Sequence, residues 1–125
     1  MEIIVADTAG FCSGVKRAIQ QVQKDLQKRE QIFCLGEIIH NRQVVEHLRD
    51  SGMITAGSLS DIPDNSCFVV RTHGLPQDAI RQAEDRNLHI LDLTCPKVKK
   101  IHHLVVDLTK KGFFIYIAGN PDHPE

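Results

Sequence analysis

Six side chains of this sequence are suited to chemistry, and each stands in a short stretch marked by glycine or proline: Cys12, His40, His73, Cys95, His123 and Glu125. The stretches read Gly10-Phe11-Cys12-Ser13-Gly14, Gly36-Glu37-Ile38-Ile39-His40-Asn41, Thr72-His73-Gly74, Thr94-Cys95-Pro96 and Asp122-His123-Pro124-Glu125. A cysteine at the mouth of a helix meets exposed N–H groups and the positive end of the helix dipole, which favour thiolate. Lys16 and Arg17 follow Cys12 closely, so this sulfur suits metal binding or nucleophilic attack. Cys95, at a strand-to-helix junction before Pro96, has a comparable setting. Imidazoles beside Gly, Asn or Pro suit phosphate contact and proton transfer, and Glu125 can supply or relay a proton. Cys12 and Cys95 have neither zinc-finger nor CxxC spacing, so only the fold can bring them to one metal.

The elements that must position these residues follow from the apolar pattern. Short β-rich runs at 3–6, 32–35, 67–71, 89–93 and 113–118 alternate with segments of helical spacing. In 15–29, Val15, Ala18, Ile19, Val22 and Leu26 share one helix face. Further helices are expected over 41–50, from Pro76 to about 86, and from Pro96 to 111, stopped by Gly112. The stretch 55–66, rich in Gly, Ser, Asp and Pro, reads as a loop. Alternating strands and helices predict an α/β fold with a mostly parallel sheet, whose ligands gather beyond the carboxyl ends of the strands. All five reactive stretches follow expected strands, so convergence on one site is the leading inference. Cys34 and Cys67 fall in strands and read as core thiols; His47, His89, His102 and His103 read as surface or boundary residues.

Composition sets the outer limits. The 125 residues are 42% hydrophobic and 25% charged, enough for about one domain with a modest core. A formal charge of −1 gives no net field toward nucleic acid or an anionic membrane, and no interleaved aromatics accompany the basic runs at 97–100 and 110–111, which read as solvated helix faces. The opening residues have no secretory-signal pattern, and no apolar run approaches ~20 residues, so a cytoplasmic protein is expected. Four cysteines in such a chain favour metal or redox use over disulfides.

The motifs themselves resemble a known family. The run Ala9-Gly10-Phe11-Cys12-Ser13-Gly14-Val15-Lys16-Arg17-Ala18-Ile19 is similar to the opening of 4-hydroxy-3-methylbut-2-enyl diphosphate reductases. The stretch 36–41, Val70-Arg71-Thr72-His73-Gly74, Asp92-Leu93-Thr94-Cys95-Pro96 and His123-Pro124-Glu125 resemble later signatures of that family in the same order. The resemblance implies a cytoplasmic iron–sulfur oxidoreductase of the non-mevalonate (methylerythritol phosphate) pathway. Such an enzyme removes the substrate's allylic hydroxyl reductively, giving isopentenyl and dimethylallyl diphosphates. It implies a 4Fe-4S cluster with Cys12 and Cys95 among its metal ligands, and diphosphate contacts from His40, His73 and His123. Glu125 would belong to proton delivery, and a one-electron donor such as ferredoxin or flavodoxin would be a partner.

The same resemblance implies a three-domain architecture. Residues 1–13 would hold a first strand and the cysteine loop, pairing with an absent third domain. Residues 14–96 would form the first α/β domain, and 97–125 would begin the second. The family's third cluster cysteine is absent from this sequence, so the polypeptide alone is expected to be inactive and marginally stable. The alternatives are an inactive remnant or diphosphate-binding module without turnover, and a mononuclear zinc site using Cys12, Cys95 and one histidine. A dinucleotide-binding fold is disfavoured because Gly10 and Gly14 do not give G-x-G-x-x-G spacing.

Overall fold

Four short strands and four helices organise the chain in a computed structural model that describes residues 1–120. In chain order they are α1 (Ser13–Leu26), β1 (Ile32–Leu35), α2 (Arg42–Asp50), β2 (Met53–Ala56), a 3-10 turn (Leu59–Asp61), β3 (Cys67–Val70), α3 (Gln77–Asp85), β4 (His89–Asp92) and α4 (Pro96–Lys110). The strands form one parallel sheet in the order β2-β1-β3-β4. Parallel strands need crossovers that cover both faces, so their residues are apolar almost without alternation. Cys67, Phe68, Val69 and Val70 are all buried.

The two-residue period of the strands divides this apolar run between two helical layers. Ile32, Cys34, Met53, Cys67 and Val69 face Ala18 and Val22 of α1 and Leu48 of α2. Phe33, Ala56, Phe68 and Val70 face Ala83 of α3, with Ile62 and Leu88 closing that layer. The expected α/β class with a mostly parallel sheet is therefore what the chain adopts. Three local features differ from the sequence expectation. Residues 53–56 form β2, although 55–66 reads as loop; Met53 and Ala56 are buried and the strand pairs along its full length with β1. Residues 3–6 and 113–118, apolar enough for strands, join no ladder among the described residues. A strand is defined by its neighbour, and without one β-rich residues stay irregular. Ile4 is 84% exposed and Phe114 92% exposed. Helix α4 also leaves Ile101, Leu104 and Val106 exposed, on more than one side.

The order β2-β1-β3-β4 reverses direction between β1 and β3, and the loops leaving those two strands diverge to opposite faces there. Such a switch point opens a crevice at the carboxyl edge. On the α3 side, Arg86 fixes the return into β3 and β4 by donating to the carbonyls of Leu59 and Ile62 and, at 2.7 Å, to the Asp64 carboxylate. Removing it strands two carbonyls that water reaches only in part. Arg86→Met should lower unfolding stability by roughly 1–3 kcal/mol, the cost of unsatisfied partly buried acceptors. Urea unfolding followed by circular dichroism measures this, and an unchanged midpoint and slope would refute it.

Candidate active site at the carboxyl edge of the sheet

Both chemically equipped cysteines sit at helix starts. Cys12 is the N-cap of α1, its carbonyl accepting from Lys16 N–H at 3.0 Å; Cys95 is the N-cap of α4, its carbonyl accepting from Lys99 N–H at 2.9 Å, with Pro96 opening the helix. The Cys12 thiol meets the Val15 and Gly14 N–H groups at the mouth of α1. The two sulfurs converge on Gly14: a Cβ built there would lie 3.2 Å from Cys95 Sγ and 3.9 Å from Cys12 Sγ. Arg17 locks this approach by donating to the Thr94 carbonyl at 3.2 Å, tying α1 to the turn that carries Cys95. The Asp92 carboxylate shapes the same turn, accepting from Thr94 N–H at 2.9 Å and from the Thr94 hydroxyl and Lys99. Burial pushes this carboxyl up, but the hydrogen bonds from Lys99 and Thr94 outweigh it and hold the group below the usual carboxylate range.

The electrostatics favour thiolate at Cys12. The Val15 N–H at the helix mouth lowers its pKa most, with further help from the Gly14 N–H and the Lys97 charge, against a smaller opposing cost of desolvation. Cys34 behaves oppositely, burial pushing its thiol up to about 12 although the Arg71 charge draws it down. Cys67 is also raised by burial and stands at the amino end of β3, away from this edge. Neither can join Cys12 and Cys95 where the chain now holds it.

The histidines form the second half of the arrangement. His40, at the end of the β1 loop, and His73, in the turn after β3, stack with ring centroids 4.8 Å apart and planes inclined by 26°. They occupy the two sides of the β1/β3 switch point. Thr72 joins the loops behind them: its hydroxyl donates to the Ile38 carbonyl at 3.2 Å, and its own carbonyl accepts from Cys95 N–H at 2.9 Å. Asn41 then starts α2, its side chain accepting from Val44 N–H at 3.1 Å, so His40 stands beside a helix N-terminus. Cys12, Cys95, His40 and His73 thus share one edge, linked through Thr72 and Thr94. His123 and Glu125 lie outside the described residues.

Sequence reasoning set His102 aside as a boundary residue, yet its Cε1 lies 3.0 Å from where a Gly74 Cβ would stand, over the turn that carries His73. Nothing in its local pattern signals this contact, which joins α4 to the turn after β3. Beside Cys95, a cavity of about 340 Å³ is lined by Arg17, Asp92, Thr94, Pro96, Lys99, Lys100 and His103, giving the cysteine pair a basic flank. Among the described residues no group of three or more His, Cys, Asp or Glu side chains is arranged to hold a metal ion. Neither a cluster nor a zinc ion therefore finds a third ligand beside Cys12 and Cys95 among those residues. Two converging cysteine sulfurs fit two ligand positions of an iron–sulfur group, a class of centre that soft sulfur ligands select.

A family model described as LytB protein matches residues 3–125. The chain is 39% identical over 127 residues to the 4-hydroxy-3-methylbut-2-enyl diphosphate reductase of Alkaliphilus oremlandii (strain OhILAs), covering 100% of this chain and 45% of that protein. It is 40% identical over 126 residues to the protein of the same name from Clostridioides difficile (strain 630), with the same two coverages. Among solved structures, the E-1-hydroxy-2-methyl-but-2-enyl-4-diphosphate reductase of Plasmodium falciparum superposes with a TM-score of 0.90 at 32% identity, over 94% of this chain and 37% of that one. A structure titled as (E)-4-hydroxy-3-methyl-but-2-enyl diphosphate reductase, the terminal enzyme of the non-mevalonate pathway, gives 0.84 at 35% identity, over 98% and 43%. The chain therefore spans less than half the length of these relatives.

The contrast between the cysteines is directly measurable. In native protein, Cys12 should alkylate with iodoacetamide at a pH below the ordinary thiol value of 9.0, while Cys34 and Cys67 stay protected until unfolding. Mass mapping of alkylated peptides across a pH series reads this out. Titration of Cys12 at or above 9.0 would contradict the helix-mouth account.

Proposed function

The chain belongs to the LytB protein family, and on that premise we propose that it supplies part of the site of a 4-hydroxy-3-methylbut-2-enyl diphosphate reductase. The observation that carries this reading is the meeting of two thiols within 3.9 Å of one point beside Gly14, on the same edge as the stacked His40 and His73. In this reading Cys12 and Cys95 are ligands of a 4Fe-4S cluster. When bound, such a cluster supplies single electrons and an iron that acts as a Lewis acid. His40 and His73, with His123, hold the substrate's diphosphate, and Glu125 delivers a proton. The overall change balances as cleavage of the allylic C–O bond, departure of the hydroxyl as water after protonation, and uptake of two electrons and one further proton by the allyl group.

The protein's own groups divide that task by chemical softness and charge. Both sulfurs stand at helix N-termini, and at Cys12 the N–H groups of the helix mouth favour the thiolate. Imidazoles at the switch point donate N–H groups to phosphate oxygens and gain charge when protonated. The buried Thr72 and Thr94 carry no charge of their own and keep the two sets in register. The flank beside Cys95 carries Lys100, with Arg17 bound to the Thr94 carbonyl and Lys99 paired with Asp92, and in this reading it faces an acidic one-electron carrier of the ferredoxin or flavodoxin class. A cytoplasmic setting belongs to the same reading, and no helix among the described residues is long and apolar enough to cross a membrane. Residues 14–96 would be the first α/β domain and 97–125 the start of a second, with 1–13 seated elsewhere; the exposed apolar residues of 3–5 and of α4 support that division.

Anaerobic reconstitution with iron and sulfide tests the central claim. The parent should take up iron and acid-labile sulfide together, approaching about four of each for a cubane cluster. Cys12→Ser and Cys95→Ser should each lose most of both, and Cys34→Ser should lose neither. Zinc bound without sulfide would replace the cluster by the mononuclear reading. Diphosphate binding without iron or sulfide uptake would leave a binding module without turnover.

A further inference from the structure

Arg71 is a cation for which the roles above give no use. It follows β3 directly, and its guanidinium crosses from that side of the switch point to the other: a Cβ on Gly36 would stand 2.8 Å from Arg71 Nη1 and 3.8 Å from Cζ. Gly36 has φ +71°, so the position both needs glycine for its backbone and leaves its side-chain volume to the guanidinium. The Nε of Arg71 is buried and has no hydrogen-bond partner among the described residues. The ion pairs among those residues join Arg42, Arg49, Arg86 and Lys99 to acids, and none includes Arg71. Its charge is felt inside the sheet, where it draws the Cys34 thiol downward against burial.

A guanidinium half withdrawn from water, with no counter-ion, destabilises the protein until an anion arrives. The location decides which anion. Gly36 begins the loop that ends at His40, and His73 lies two residues beyond Arg71, so the guanidinium bridges the bases of the two segments whose imidazoles stack. Arginine also differs from histidine in staying charged at every working pH.

We propose that Arg71, laid across Gly36, is a further anion-holding residue of this edge: it fixes the 36–41 loop against the 71–74 turn and provides the permanent positive charge for a diphosphate beside His40 and His73. This inference rests on the diphosphate reading of the same edge. It deepens that reading by assigning a permanent positive charge of the site to arginine.

Calorimetric titration of the full 125-residue chain with inorganic diphosphate tests it, comparing the parent with Arg71→Met, Arg71→Lys, Gly36→Ala and His73→Ala at two salt concentrations. Arg71→Met should weaken binding about ten- to a hundredfold and flatten its salt dependence, as loss of a charge-assisted contact requires. Arg71→Lys should recover part of the affinity and all of the salt dependence. Gly36→Ala, which keeps the charge but displaces the guanidinium, should weaken binding with the salt dependence retained. If folded Arg71→Met binds as tightly as the parent while His73→Ala does not, the role assigned to Arg71 is wrong and the diphosphate reading survives. If Arg71→Met does not fold, parent-like affinity in Gly36→Ala overturns the inference. A parent that binds no diphosphate sinks both readings together.

Discussion

The buried Thr72 is the joint on which the carboxyl edge depends. Its hydroxyl reaches the Ile38 carbonyl in the β1 loop, and its carbonyl receives the Cys95 N–H from the turn after β4. Three loops that leave three different strands are thereby held by one residue, with His73 as its immediate neighbour. A buried hydroxyl left unmatched is costly, so satisfying it selects one arrangement of these loops over looser alternatives. The parallel sheet supplies the coarse placement, since every strand delivers its following loop to the same edge. Thr72 supplies the finer one, converting shared location into fixed relative position.

Glycines complete that arrangement by being absent as side chains. At Gly14 the space belongs to Cys95 Sγ, at Gly36 to the Arg71 guanidinium, and at Gly74 to the His102 ring. Each missing Cβ lets a polar group from a different element approach the backbone. Two of the three also have positive φ, +71° at Gly36 and +83° at Gly74, so any other residue there would meet strain as well as a clash. The edge is therefore close-packed through polar atoms, in a molecule whose two apolar layers lie behind it.

Much of this was legible in the sequence because it depends on local pattern. The β1, β3 and β4 runs, the α1 stripe and the Pro96 helix start all arise from residues near one another in the chain. What was not legible depends on partners. Met53-Ile54-Thr55-Ala56 looks like the entry to a Gly- and Ser-rich loop, and becomes a strand only because β1 offers it a full ladder. Residues 3–6 and 113–118 show the converse, strand-like composition with no ladder among the described residues. At the site, the helix-mouth setting of Cys12 and the turn position of His73 could be read directly. The stacking of His40 on His73, the seat of His102 on Gly74 and the reach of Arg71 over Gly36 could not. Each joins segments more than 25 residues apart in the chain, and single-chain spacing carries no record of such a contact.

Charge explains why the two halves of the edge are built differently. Thiolates and the diphosphate proposed for this edge would all be anionic, and crowding them without compensation would raise thiol pKa values and weaken phosphate binding alike. The chain answers with separate sources of positive potential. Cys12 draws on the N–H groups of its own helix start and on Lys97, whereas His40 and His73 bring N–H groups of their own beside the start of α2. Arg17 donates to the Thr94 carbonyl and so ties α1 to the turn that carries Cys95. Local compensation of this kind would let a chain with a formal charge of −1 hold the proposed sulfur and phosphate groups on one edge. On this reading the cysteine pair and the imidazoles draw on different groups, reached through different loops, and can be altered separately.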